Sequence, residues 1–131
     1  MKSKVLIVDD DPQVRKTIAL VLEDCCETAE AASGEEALES LAAVNPALVL
    51  LDVSMPGMGG LEVLSTLRAL KPGLPIIMLT SADDVVTAKM ALDLGAALYM
   101  TKPYDVDALK KEVLVLLNAE PPDPLPWKVS G

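Results

Sequence analysis

The side chains able to do chemistry in this sequence are aspartates, and they fall at two places. Asp9-Asp10-Asp11 follows the apolar run Val5-Leu6-Ile7-Val8, and Asp52 follows Ala47-Leu48-Val49-Leu50-Leu51. A hydroxyl, Thr80, ends the run that begins at Pro75, and an ammonium, Lys102, follows Leu98-Tyr99-Met100-Thr101. Each alone is weak evidence, since an aspartate run after a strand is usually a turn and a Lys-Pro pair usually a surface loop. Gathered at one place they would mean more. Crowded carboxylates oppose one another's ionisation unless a cation is present. Oxygen-only donors suit a hard divalent ion, magnesium (or manganese), above all where a phosphate shares the coordination sphere. A carboxylate can also act as a nucleophile and form an aspartyl-phosphate, which needs the metal and a cation to neutralise the transferring phosphoryl group. Asp52 as nucleophile, Asp9 and Asp10 as metal ligands, and Thr80 and Lys102 on the phosphoryl oxygens would supply those parts.

Elements must bring these residues together, and the apolar pattern supplies them. Short apolar runs alternate five times with segments of helical period. The strands are read at Val5–Val8, Thr28–Ala31, Ala47–Leu51, Pro75–Thr80 and Leu98–Thr101. Between them, Val14, Ile18, Val21, Leu22 and Cys25 form one helical face, and Ala37, Leu38, Leu41 and Val44 a second. Ser33 stands three residues before Glu36, a capping-box spacing. A glycine-rich loop, Pro56 to Gly60, leads to a helix carrying Leu61, Leu64, Leu67 and Leu70. A helix over Asp83–Leu94 stops at Gly95, and Asp105 caps a last one carrying Val106, Leu109, Val113, Leu116 and Leu117. Strand–helix alternation without hairpin signals implies right-handed crossovers and a parallel sheet, a three-layer α/β domain. Ligands of such sheets bind beyond the carboxyl ends of the strands, where Asp9, Asp10, Asp52, Thr80 and Lys102 would all fall.

Composition removes other function classes. The 131 residues include 20 acidic and 11 basic side chains, no histidine and a formal charge of −9. Without histidine there is no Ser-His-Asp triad, Cys-His pair or His-ligated zinc. The acidity argues against nucleic acid, which is bound by Lys and Arg, and Tyr99, Tyr104 and Trp127 make no stacking platform. Adjacent Cys25 and Cys26 cannot staple distant segments, which fits a reducing cytoplasm. They read as small, partly buried hydrophobes near a helix end, with redox sensing the minority reading. The methionines read as gap-fillers rather than a cofactor box. The apolar run after Lys4 is too short to be read as a signal peptide, so none is expected, and no apolar run approaches membrane-spanning length. From Ala119 onward Pro121, Pro122, Pro124 and Pro126 cannot continue a helix, so residues 119–131 are expected to be a linker or tail. A tail docked through Leu125 and Trp127 is the alternative.

Four segments, Val5-Leu6-Ile7-Val8-Asp9-Asp10-Asp11-Pro12, Leu50-Leu51-Asp52-Val53-Ser54-Met55-Pro56-Gly57-Met58, Ile76-Ile77-Met78-Leu79-Thr80-Ser81-Ala82 and Tyr99-Met100-Thr101-Lys102-Pro103-Tyr104, share a further property. Together they resemble the receiver domain of two-component response regulators, the family that includes the stand-alone chemotaxis regulators. The resemblance covers Ser3 to about Asn118, so a receiver domain is expected over 1–118. It implies a flavodoxin-like (βα)5 sandwich with strand order 2-1-3-4-5. It further implies that Asp52 accepts a phosphoryl group from a sensor histidine kinase or a histidine phosphotransfer protein. Magnesium would be held by Asp10, Asp52 and the Ser54 backbone carbonyl, with Asp9 acting through water. Thr80 would be the switch hydroxyl, Lys102 the phosphoryl-binding lysine, Tyr99 the switch aromatic and Lys102-Pro103 a cis peptide. Asp11 reads as a helix cap rather than a ligand.

The chain departs from that pattern at two points. Gly59 stands where an aspartate commonly precedes Gly60, which would leave the third helix less well capped. Ala97 and Leu98 occupy a segment often acidic in the family, so the charge-paired dimer of some DNA-binding members is not expected. Phosphorylation would move the face built from Asp83–Leu94, Leu98–Thr101 and Asp105–Asn118, with Leu98 and Tyr99 in it, for an output domain or partner protein to read. The domain is expected to be regulatory rather than an enzyme, cytoplasmic, and free of direct contact with nucleic acid or membrane. The competing readings are a nucleotide- or flavin-binding domain, an aspartyl phosphatase and a receiver acting only by contact. The first would want a glycine-rich cradle where Asp9-Asp10-Asp11-Pro12 stands; the second a further acid beside Asp52-Val53-Ser54.

Overall fold

The structure is a computed structural model and describes residues 3–53, 59–81, 85–102 and 105–118. Ten elements alternate along them: β1 (Ser3–Val8), α1 (Pro12–Leu22), β2 (Cys26–Ala31), α2 (Gly34–Val44), β3 (Leu48–Asp52), α3 (Gly60–Leu70), β4 (Ile76–Ser81), α4 (Val85–Asp93), β5 (Leu98–Lys102) and α5 (Val106–Asn118). The strands form one parallel sheet in the order β2-β1-β3-β4-β5. This is the flavodoxin-like arrangement, and it puts every strand's carboxyl end at the same edge.

Two apolar layers hold the sheet, because alternate residues of a strand face opposite sides. Leu6, Val8, Val49, Leu51, Ile76 and Met78 pack under α2, α3 and α4. Val5, Ile7, Leu48, Leu50, Ile77 and Leu79 pack under α1 and α5. The inner stretches of the central strands, residues 5–8, 48–51 and 76–79, are therefore wholly apolar, as a sheet covered on both faces requires. β2 lies at the edge and shows it: Glu27 and Glu30 are exposed while Cys26 and Ala31 are buried.

Helix ends follow local chemistry. Pro12 opens α1 at a position where a missing N–H costs nothing, and the Asp11 carboxylate accepts from Gln13 N at 2.9 Å. Asp11 is thus a cap, as its sequence position implies. Ser33 Oγ accepts from Glu36 N at 3.1 Å, which bears out the capping residue, although Glu36 is exposed. Asn45, in the left-handed region at φ 47°, ends α2 one residue before Pro46. Asp105 caps α5 through Asp107 N at 2.8 Å. Gly59 gives α3 no side-chain cap, as expected.

The differences are physical in origin. β2 begins at Cys26 rather than Thr28 because it pairs residue for residue with β1 from Ser3 onward. Leu70, expected on the buried face of α3, is 57% exposed, whereas Val63 is wholly buried. A strict three-residue spacing drifts around a helix of about 100° per residue, so Leu61 and Leu70 stand roughly 180° apart. Met78 is a buried gap-filler, but Met90 is exposed on α4. The expected tail over 119–131, with Leu125 and Trp127, lies outside the described residues. Among the described residues, no helix is long and apolar enough to cross a membrane.

Candidate functional site

The sheet delivers its polar residues to its carboxyl edge one strand at a time. Asp9 follows β1 directly, its N–H donating to Ala31 O of β2 at 3.1 Å. Asp52 ends β3, in register with Leu79 of β4, and the next residue continues the ladder through Val53 N to Leu79 O at 3.0 Å. The edge position is thus fixed by backbone pairing before any side chain acts.

Three carboxylates meet there. Asp9, Asp10 and Asp52 each offer an oxygen, and these oxygens lie within 4.8 Å of one another. Asp9 and Asp52 are almost completely buried, at 1% and 2% exposure, and Asp10 is exposed. Withdrawing carboxylates from water is costly without compensating charge or hydrogen bonds. Asp9 Oδ1 accepts from Asp11 N at 2.9 Å, tying the buried carboxylate to the entry of α1. Hard-ion chemistry fits this donor set: oxygens only, two buried and one open to water, near the spacing of about 3 to 4 Å between oxygens on one octahedral magnesium.

Two residues shape the edge, one that the sequence reading passed over and one that it placed only in a loop. Arg15, one turn into α1, donates from Nη1 to the Asp9 carbonyl at 2.6 Å and from Nε to Glu30 Oε1 at 3.0 Å. It links the ends of β1 and β2 beside the carboxylates. The signal was a cation four residues after Asp11, where helical period returns a side chain toward the preceding strand end. Gly60 is the second. A Cβ on it would lie 2.6 Å from Val53 Cα and 2.7 Å from the Asp52 carbonyl. α3 therefore starts in direct contact with the backbone that presents Asp52, an approach only glycine permits.

Thr80 is buried at 1% exposure on β4, opposite Thr101 in register. Lys102 ends β5 at the same level as Ser81, so its backbone reaches the edge. Tyr99, opposite Met78, is half-buried and packs into the layer under α2, α3 and α4. Strand alternation and register put Thr80 and Tyr99 on that same face. Leu98 packs on the other side of the sheet, with α1 and α5, as a strand neighbour of Tyr99 must; the readout surface expected over α4, β5 and α5 draws on both sides. Ser54 and Pro103, and with them the expected carbonyl ligand and cis peptide, lie outside the described residues.

The edge can therefore bind a hard cation between buried carboxylates and expose Asp10 to whatever joins it, with a hydroxyl on the adjoining strand. Comparison with known proteins identifies the family to which this chain is similar. The response regulator receiver domain family matches residues 5–114. The DNA-binding response regulator MtrA of Mycolicibacterium smegmatis is 37% identical over 125 residues, 95% of this chain and 54% of its own length. The chain thus spans about half the length of the curated relatives it matches. Among solved structures, chemotaxis protein CheY4 of Vibrio cholerae superposes with a TM-score of 0.82 at 29% identity, covering 88% of this chain and 99% of that one. The receiver domain of NtrX from Brucella abortus gives 0.84 at 30% identity, with 88% and 99% covered.

Proposed function

The chain belongs to the receiver domain family of two-component response regulators, and from that premise we propose that Asp52 is its phosphoacceptor. The observation that carries the reading is the buried Asp9–Asp52 pair with exposed Asp10, all within 4.8 Å at the strand ends. Asp52 Oδ attacks the phosphorus of a phosphohistidine on a sensor histidine kinase or a histidine phosphotransfer protein. The P–N bond breaks, the imidazole leaves with its electron pair, and an acyl phosphate forms on Asp52. Asp10, Asp52 and the Ser54 carbonyl would hold magnesium, with Asp9 supporting through water, and the ion so held would supply charge neutralisation for the phosphoryl group.

The remaining residues bind and report. Lys102 pairs with one phosphoryl oxygen, and Thr80 donates its hydroxyl to another. Tyr99 shares Thr80's face of the sheet, so an inward move of Thr80 leaves room for the tyrosine ring to follow. The new charge selects that arrangement because only there does the phosphoryl group gain the hydroxyl's hydrogen bond. We further propose that residues 1–118 are the receiver and 119–131 a linker toward an output domain or partner. The domain is regulatory and acts in the cytoplasm, touching neither nucleic acid nor membrane itself.

The test is incubation with a small phosphodonor, with and without magnesium, followed by intact-mass measurement. One phosphoryl group should be gained by the wild type with metal, and none by Asp52→Asn or in the presence of chelator. Absence of uptake by the folded wild type with magnesium would overturn the proposal.

A further inference from the structure

The corner between α1 and β2 carries a second cluster of nucleophilic side chains, at the sheet edge opposite the aspartates. Cys25 lies in the turn after α1, and Cys26 opens β2 in register with Ser3. Neighbouring side chains on a regular strand point to opposite faces. Here the turn brings them together, and the two Sγ atoms stand 3.5 Å apart. Both thiols are free; Cys25 is half-buried and Cys26 buried at 3% exposure. The geometry is fixed from both sides. Cys25 N donates to Leu22 O at 3.0 Å, and next to the pair Lys110 Nζ of α5 donates to both Asp24 oxygens, at 2.9 and 3.0 Å.

A sulfur spacing of 3.5 Å suits one atom bound by both. Two thiolates on a single tetrahedral zinc, at bonds of about 2.3 Å, stand roughly 3.8 Å apart. Zinc nevertheless wants four ligands, and this corner offers two sulfurs, with the adjoining Asp24 carboxylate already engaged by Lys110. A trivalent arsenic centre is satisfied by three: two sulfurs and the organic group it brings. We propose that Cys25 and Cys26 form a bidentate site for a trivalent organoarsenical, selective over zinc by ligand number.

The step is a condensation without redox change. Two S–H bonds break and two As–S bonds form, while the arsenical's oxygen leaves as water carrying both protons. Cys25, the more accessible thiol, attaches first, and Cys26 closes the ring. Burial, followed by the neighbouring Cys25, pushes the Cys26 thiol up to about 11, so it keeps its proton until that proton departs in water. This site is independent of the chemistry proposed for Asp52.

The test uses the full chain, reduced, with phenylarsine oxide and intact-mass readout. The wild type should take up one arsenical with loss of one water. It should keep it against a roughly tenfold excess of glutathione, because the second thiol acts at high effective concentration, and should release it to a small dithiol. Cys25→Ser leaves the buried thiol in place and should lose that retention, as should Cys26→Ser with circular dichroism confirming its fold. Equimolar zinc should leave uptake unchanged. No adduct on the folded wild type, equal retention by Cys25→Ser, or protection by zinc would each overturn the proposal.

Discussion

At the residue scale, burial separates the three carboxylates by role. Asp9 and Asp52 sit inside the fold, whereas Asp10 faces water. Removing a buried, hydrogen-bonded carboxylate disturbs the protein as well as the site, but removing an exposed one disturbs the site alone. Asp10→Asn should therefore weaken magnesium binding by about tenfold or more, since affinity follows ligand charge. Titration calorimetry reads this, and urea unfolding without metal should show no loss of stability, and a gain, since one of three mutually repelling charges has been removed. Gly60 gives a second prediction. A methyl there meets the backbone of Val53 and Asp52, which cannot rotate away as a side chain could. Gly60→Ala should cost about 1–3 kcal/mol in urea unfolding, the usual range for forcing extra volume into a packed site. The candidate aspartates were legible because acidic residues after apolar runs need no tertiary information to be noticed. Arg15 was less so: its partner is the Asp9 carbonyl, and backbone acceptors leave no mark in a sequence.

At the element scale, the turn between α4 and β5 is held from outside. Gly95 has φ 108°, a region that disfavours side chains. Arg68 of α3 reaches its carbonyl at 2.8 Å and that of Pro72 at 2.7 Å. A Cβ on Gly95 would meet Arg68 Nε at 2.9 Å, so the glycine serves both the turn and the guanidinium. Arg68→Ala should lose about 2–3 kcal/mol, from the charge-assisted hydrogen bonds to the Gly95 and Pro72 carbonyls and a longer one to Lys71. Gly95→Ala should cost about 1–2 kcal/mol from backbone strain in the wild type, and more by the crowding of Arg68. In the Arg68→Ala background it should cost less, because the contact with Arg68 is gone and only the φ penalty remains. Equal costs in both backgrounds, measured by thermal unfolding, would show that the contact carries nothing. The glycine stop after α4 was readable from sequence; its partnership with Arg68, 27 residues away, was not. Helix spans were read well wherever capping residues marked them, as at Ser33 and Asp105. The face of α3 was misjudged because evenly spaced leucines imitate a stripe they do not form.

At the scale of the whole molecule, the charge of −9 is partly gathered at one edge. A cation bound there and absent from the unfolded chain must stabilise the fold by mass action. Magnesium should therefore raise the melting temperature progressively with concentration, and chelator should remove the rise. Asp52→Asn should respond less than the wild type at equal magnesium; an identical response in both would place the bound ion elsewhere. The layered architecture was legible because strand–helix alternation and fully apolar strands each permit few alternatives. Strand order came from the resemblance to a family rather than from periodicity, which says what an element is but not which element lies beside it.

That strand order also bears on how the protein is born. β1, first of the strands to leave the ribosome, ends between β2 and β3. Its second neighbour cannot pair until Leu48–Asp52 has been synthesised. Thereafter growth runs in one direction, β4 onto β3 and β5 onto β4, each new strand adding to an edge already formed. Folding should thus nucleate on the β2-β1-β3 half and finish at β5. Conservative core substitutions such as Ile7→Val should slow refolding, whereas Leu98→Ala should chiefly speed unfolding. The strand that completes the sheet is then also the first able to detach from it, so opening one edge need not undo the half that carries the aspartates.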